Sequence, residues 1–104
     1  MIVEFAAGQI RVWCTSQERE ELLGGRAVKL EVALPGGRYV IVSVAASALD
    51  AWRLDADPTG LWLTVPHAAL AAETSEPPGS ELSHDFPADS GHSVRVRVGF
   101  TTRG

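Results

Sequence analysis

The 104-residue sequence has one cysteine, Cys14. That excludes an internal disulfide framework and any multi-cysteine zinc site. One free thiol fits a reducing, cytoplasmic setting. No apolar run approaches the ~18 residues that would span a bilayer as a helix. The N-terminus lacks a basic start and carries Glu4, so it does not read as a secretion signal. Lysine is almost missing: eight of the nine bases are Arg and Lys29 is the exception. With the abundant Ala, this points to GC-rich bacterial coding. Positive charge is also short overall, at a net −4. Phosphate neutralisation needs a basic field, so direct nucleic-acid binding is disfavoured. The catalytic signatures are missing as well. There is no Gly-x-Ser-x-Gly elbow, and neither Gly24-Gly25 nor Pro35-Gly36-Gly37 has the spacing of a phosphate loop.

What is present is mostly strand pattern. Ile2–Phe5 is a short apolar run, and Gln9–Cys14 alternates with period two. Thr15-Ser16-Gln17-Glu18 has capping-box spacing, and Gly24-Gly25 permits a left-handed stop. A helix is therefore predicted over 16–23. Arg26–Leu34 and Arg38–Val44 flank Pro35-Gly36-Gly37 and form the clearest hairpin. Ala48–Asp55 is a weaker strand. Leu61–Val65 is a strong one, with Leu61, Leu63 and Val65 on one face and Trp62 and Thr64 on the other. Pro66 suits the first turn of a second helix over 67–72. Val94, Val96 and Val98 alternate with Arg95 and Arg97 in a closing strand. No repeat appears at a period of ~20–50 residues. The expected fold is one strand-dominated α+β domain over 1–104. It is built as a curled antiparallel sheet of about six strands with two short helices near 16–23 and 67–72.

The order of these pieces resembles a family of short uncharacterised bacterial proteins with a strand, a Thr/Ser-capped helix and a β-meander. Ile10-Arg11-Val12, Thr15-Ser16-Gln17-Glu18, Leu63-Thr64-Val65-Pro66 and Val94–Val98 carry the resemblance, which spans most of 1–100. It implies an architecture and no activity, so it transfers no functional residue.

Residues 73–92 differ in composition. They hold Glu73, Glu76, Glu81, Asp85 and Asp89 with no Lys or Arg, and they are rich in Pro, Gly and Ser. The remainder has eight acids against nine bases, so the negative charge resides in this segment. A long acidic loop is expected here, with Glu76, Glu81, Asp85 and Asp89 as candidate binding residues. His84, Asp85, Asp89 and His92 are the only clustered metal-ligand types, at a spacing that matches no established motif. No metal and no cofactor are expected. Cys14 precedes a helix cap, but a lone cysteine is better read as core filler. On the strands, Arg11, Trp13, Trp62, Arg95 and Arg97 all alternate away from the valine side. Arg and Trp are the residues enriched in binding hot spots.

These features predict a small cytoplasmic, non-catalytic module that binds another protein. One alternative is an acidic inhibitor that blocks a basic nucleic-acid-binding or nuclease site. Another is a metal-binding protein that uses the His/Asp loop. Neither a membrane nor direct nucleic-acid contact is expected, and an open edge strand would permit a homodimer.

Overall fold

A computed structural model describes residues 1–49, 51–72, 81–87 and 91–100. Its elements are β1 (Ile2–Ala6), β2 (Gln9–Cys14), α1 (Ser16–Leu23), β3 (Val28–Leu34), β4 (Arg38–Ser47), β5 (Arg53–Asp57), β6 (Gly60–Pro66), α2 (His67–Ala72), β7 (Glu81–Pro87) and β8 (Ser93–Phe100). The fold is α+β and strand-dominated, as the alternation implies. Both helices lie where their caps predict. The β3–β4 turn uses Gly36 and Gly37 at φ +82° and +74°, a region that costs glycine little.

The sheet arrangement corrects the expected single antiparallel sheet. There are two four-stranded mixed sheets, ordered β1-β2-β8-β7 and β3-β4-β6-β5. Each is two antiparallel hairpins joined through a parallel central pair, β2 with β8 and β4 with β6. Hairpin pairing is local, so alternation and turn residues reveal it. The parallel pairings join distant parts of the chain and leave no local signal. The segment expected as one loop over 73–92 contains the edge strand β7, paired with β8 along its whole length. Strand β5 also begins later than expected, at Arg53.

The two halves of the chain repeat one backbone plan of hairpin, helix, hairpin. Ile2 pairs with Trp13 and Ala6 with Gln9; adding 51 to each number gives Arg53 with Thr64 and Asp57 with Gly60. Val28 pairs with Val44; adding 54 gives Leu82 with Val98. Even the connecting amides match, because Ile41 N–H donates to the Thr59 carbonyl and Arg95 N–H to that of Gly8, each at 2.9 Å. Each half gives one hairpin to each sheet, so neither sheet is complete without both halves.

The inward residues of both sheets form one core. Val12, Cys14, Val96 and Val98 come from the first sheet, and Val28, Val44, Leu63 and Val65 from the second. Each helix adds one fully buried leucine, Leu22 from α1 and Leu70 from α2. The helices also cap each other. The Arg19 guanidinium donates to the Leu70 carbonyl at 3.3 Å. His67 Nε2 lies 3.1 Å from the Leu23 carbonyl and must donate, since a carbonyl only accepts. The tip of the β3–β4 hairpin runs past the start of β6, which leaves Val32, Leu34 and Tyr39 exposed. Among the described residues no helix is long and apolar enough to cross a membrane.

The α1 cap is complete. Glu18 N–H donates to Thr15 Oγ1 at 3.1 Å, and Thr15 N–H donates to Glu18 Oε1 at 2.9 Å. The Met1 amine reaches Glu18 Oε2 at 3.1 Å. Burial opposes ionisation of Glu18, but these hydrogen bonds and the nearby ammonium outweigh it and hold its pKa below the ordinary value. A carboxyl with a lowered folded pKa stabilises above its unfolded pKa, and that stability is lost as the pH falls through the folded value. Urea titration of Thr15→Ala near neutral pH should show a loss of about 1 kcal/mol. Glu18→Gln should shrink the acid-side fall in stability; an unchanged pH profile would refute the assignment.

Candidate functional site

Strand alternation decides which side chains leave the core. On the first sheet Ile10, Val12, Cys14, Val96 and Val98 point inward, so Gln9, Arg11, Trp13, Arg95 and Arg97 share the outer face. The central strands are in register with Arg11 beside Arg97, Trp13 beside Gly99 and Gln9 beside Arg95. Edge strand β1 adds Ile2 opposite Trp13 and Glu4 opposite Arg11. Edge strand β7 adds Ser83 opposite Arg97 and Asp85 opposite Arg95. Four of the five expected Arg/Trp residues thus converge on one surface. Trp62 does not: it lies on the outer face of the second sheet, between Ser43 and Asp55. Local alternation shows that a residue points outward but not which sheet it belongs to.

The face has internal order. The Arg11 guanidinium carbon sits 4.8 Å from the centroid of the Trp13 ring, a cation–π contact. Trp13 Nε1–H donates to Glu4 Oε1 at 3.3 Å. Arg95 donates through two nitrogens to Asp85, at 2.8 and 3.4 Å. That hydrogen bond holds the Asp85 carboxyl below its ordinary pKa. Arg97 is half-buried, and no hydrogen bond or ion pair joins its guanidinium to a described residue. Trp13 and Trp62 are each half-buried.

The acidic candidates separate. Asp85 is engaged by Arg95 on the arginine face of its own chain. Glu81 opens β7 opposite Gly99. Glu76 and Asp89 lie outside the described residues. The histidine cluster also separates. His84 and Asp85 are consecutive in a strand and therefore project to opposite faces. The His84 ring stacks on Trp52 with centroids 5.3 Å apart, and it meets the edge of Phe86 at 4.8 Å. His92 is exposed just before β8. Among the described residues no three His, Cys, Asp or Glu side chains gather as a metal site.

Cys14 is fully buried, and its pKa is pushed up to about 12, first by burial and then by the nearby Glu18 charge. The thiol stays protonated at neutral pH, which suits packing and does not suit a nucleophile. A cleft of about 580 Å³ opens where α1 ends and α2 begins, with Ser47 and His67 on its wall. The Ser47 hydroxyl accepts from Leu49 N–H at 3.0 Å, and His67 Nε2 is committed to Leu23. The parallel β4–β6 register that brings these two residues together has no trace in the sequence. The Trp52–His84 stack is equally silent, since it joins a connecting segment to a strand read as loop.

Comparison with known proteins finds no matching family model, and no curated protein or solved structure matches the chain.

Proposed function

We propose that the chain is a small, non-catalytic protein-binding module that engages its partner through the outer face of the first sheet. One observation carries the reading: the repeat supplies an internal control. Val12 and Cys14 correspond to Leu63 and Val65, and Val42 and Val44 correspond to Val96 and Val98, so inward positions remain small to medium and apolar in both copies. At outward positions the copies diverge. Arg11, Trp13 and Arg97 correspond to Trp62, Thr64 and Ser43. The second sheet has the same strand plan without a single outward arginine on its central strands, so the scaffold does not require Arg11, Arg95 or Arg97. Arg95 meets Asp85 within the chain, so in this reading the half-buried Trp13 and Arg97 are what the face offers a partner. Arginine and tryptophan, flat and rich in hydrogen-bonding or apolar surface, are the side chains that anchor protein interfaces.

The acidic-inhibitor alternative loses ground because Asp85 already has its cation inside the chain. The test is a pull-down from lysate of the source organism, quantified by mass spectrometry. Wild type and Trp62→Ala should capture the same partner, while Trp13→Ala should lose it by about 10-fold or more. Equal capture by all three would move the site off this face, and capture of nothing by wild type would count against a binding module.

A further inference from the structure

We infer that two copies of the chain pair edge to edge through β3, antiparallel, about a two-fold axis at Leu30. Strand β3 ends the second sheet, so one side of its backbone has no strand of that sheet beside it. Such an edge is a template for another strand, and proteins guard against it with proline, bulges or isolated charges. β3 has no proline, and its two charges, Lys29 and Glu31, lie on either side of Leu30. That spacing is self-complementary. With Leu30 opposite Leu30 of the partner subunit, Lys29 faces Glu31 of the partner subunit, and Glu31 faces Lys29 of the partner subunit. Opposite charges at facing positions stabilise an antiparallel pair. Both side chains are exposed, and among the described residues no ion pair engages either.

The apolar side of the strand agrees. Val28, Leu30, Val32 and Leu34 share the inner face. Val28 is buried and Leu30 half-buried, but Val32 is 44% exposed. A two-fold axis perpendicular to the sheet keeps both inner faces on one side. Each exposed Val32 then lies beside Val28 of the partner subunit. In β7, the corresponding strand of the repeat, the inner face is covered within the chain: His84 stacks on Trp52, and Leu82 and Phe86 pack against the core.

The other edges lack this match. β1 has Glu4 as its one charge, with no base to meet it in a second copy. β7 carries Glu81 and Asp85 with no Lys or Arg, and it ends in Pro87, which has no N–H to offer. In β5, Arg53 and Asp55 already bridge each other at 2.8 Å. The seam lies in the second sheet, so the inference stands apart from the partner face of the first.

Sedimentation velocity on the full chain, over a range of concentrations, should show a monomer–dimer equilibrium. Glu31→Lys and Lys29→Glu each set like charges across the seam and should weaken the dimer about 10-fold or more. Mixing the two variants restores opposite charges and should return a heterodimer, and the double swap K29E/E31K should return a homodimer. Leu30→Cys should oxidise to a covalent dimer, because the residue meets its own copy at the axis, at a Cα separation that a disulfide spans. Val32→Cys faces Val28 of the partner subunit and should not cross-link. The one native thiol, Cys14, is buried and does not compete. A wild type that stays monomeric at every concentration, a dimer indifferent to both charge changes, or cross-linking through Val32→Cys in place of Leu30→Cys would overturn the inference.

Discussion

Replacing Gly60 with alanine is expected to destabilise the protein by about 3 kcal/mol or more, the upper range for overpacking. The cause is a close approach of backbones. Gly60 begins β6 directly beside Ile41 of β4, and Ile41 N–H donates to the Thr59 carbonyl at 2.9 Å. A Cβ at position 60 would stand inside van der Waals contact of the Ile41 carbonyl oxygen and 2.9 Å from its carbonyl carbon. These are backbone atoms of a paired central strand, so they have nowhere to retreat. Relief requires the start of the β4–β6 ladder to part, which loosens the second sheet at its central junction. A midpoint lowered by more than about 12 °C in thermal unfolding is the expected readout. The repeat supplies the control. Gln9 occupies the corresponding place in β2 beside Arg95 and carries a side chain there without difficulty. Gln9→Ala should therefore change stability by no more than about 0.5 kcal/mol. Equal, small effects at both positions would show that the close approach at Gly60 is not rigid.

Much of this structure was legible in the sequence wherever one segment sufficed. Thr15 and Glu18 mark a helix start because both hydrogen bonds close within four residues. Pro35-Gly36-Gly37 marks a hairpin because only its own backbone must turn. The outward placement of Arg11, Trp13, Arg95 and Arg97 follows from alternation alone. What could not be read is how hairpins meet. The partner of β2 is β8, separated from it by most of the chain, and a parallel pairing needs no turn between its strands. The same limit hid the repeat. Its copies share an inward apolar pattern and a register, while their outward residues are free to differ, as Arg11 and Trp62 show. Strand β7 was obscured by its flanking Pro, Gly and acidic residues. Within it, Leu82, His84 and Phe86 do alternate with Ser83 and Asp85, and that short pattern was the available signal.

Leu70→Ala should cost about 3–5 kcal/mol, the usual range for a buried leucine cut back to alanine. Helix α2 has six residues, His67 to Ala72, too few to be stable alone. Its hold on the core is Leu70, which is 0% exposed and touches the cluster shared by both sheets. The hydrogen bond from Arg19 to the Leu70 carbonyl involves backbone and survives the substitution, so the loss measures packing. Because both sheets and both helices pack into one core cluster, the two sheets are expected to unfold together. Urea unfolding of Leu70→Ala should therefore give one midpoint, lowered equally when Trp13 reports on the first sheet and when Trp62 reports on the second. Variants with a single remaining tryptophan separate the two signals. Two distinct midpoints would mean that the sheets are independent and would undo the single-core description.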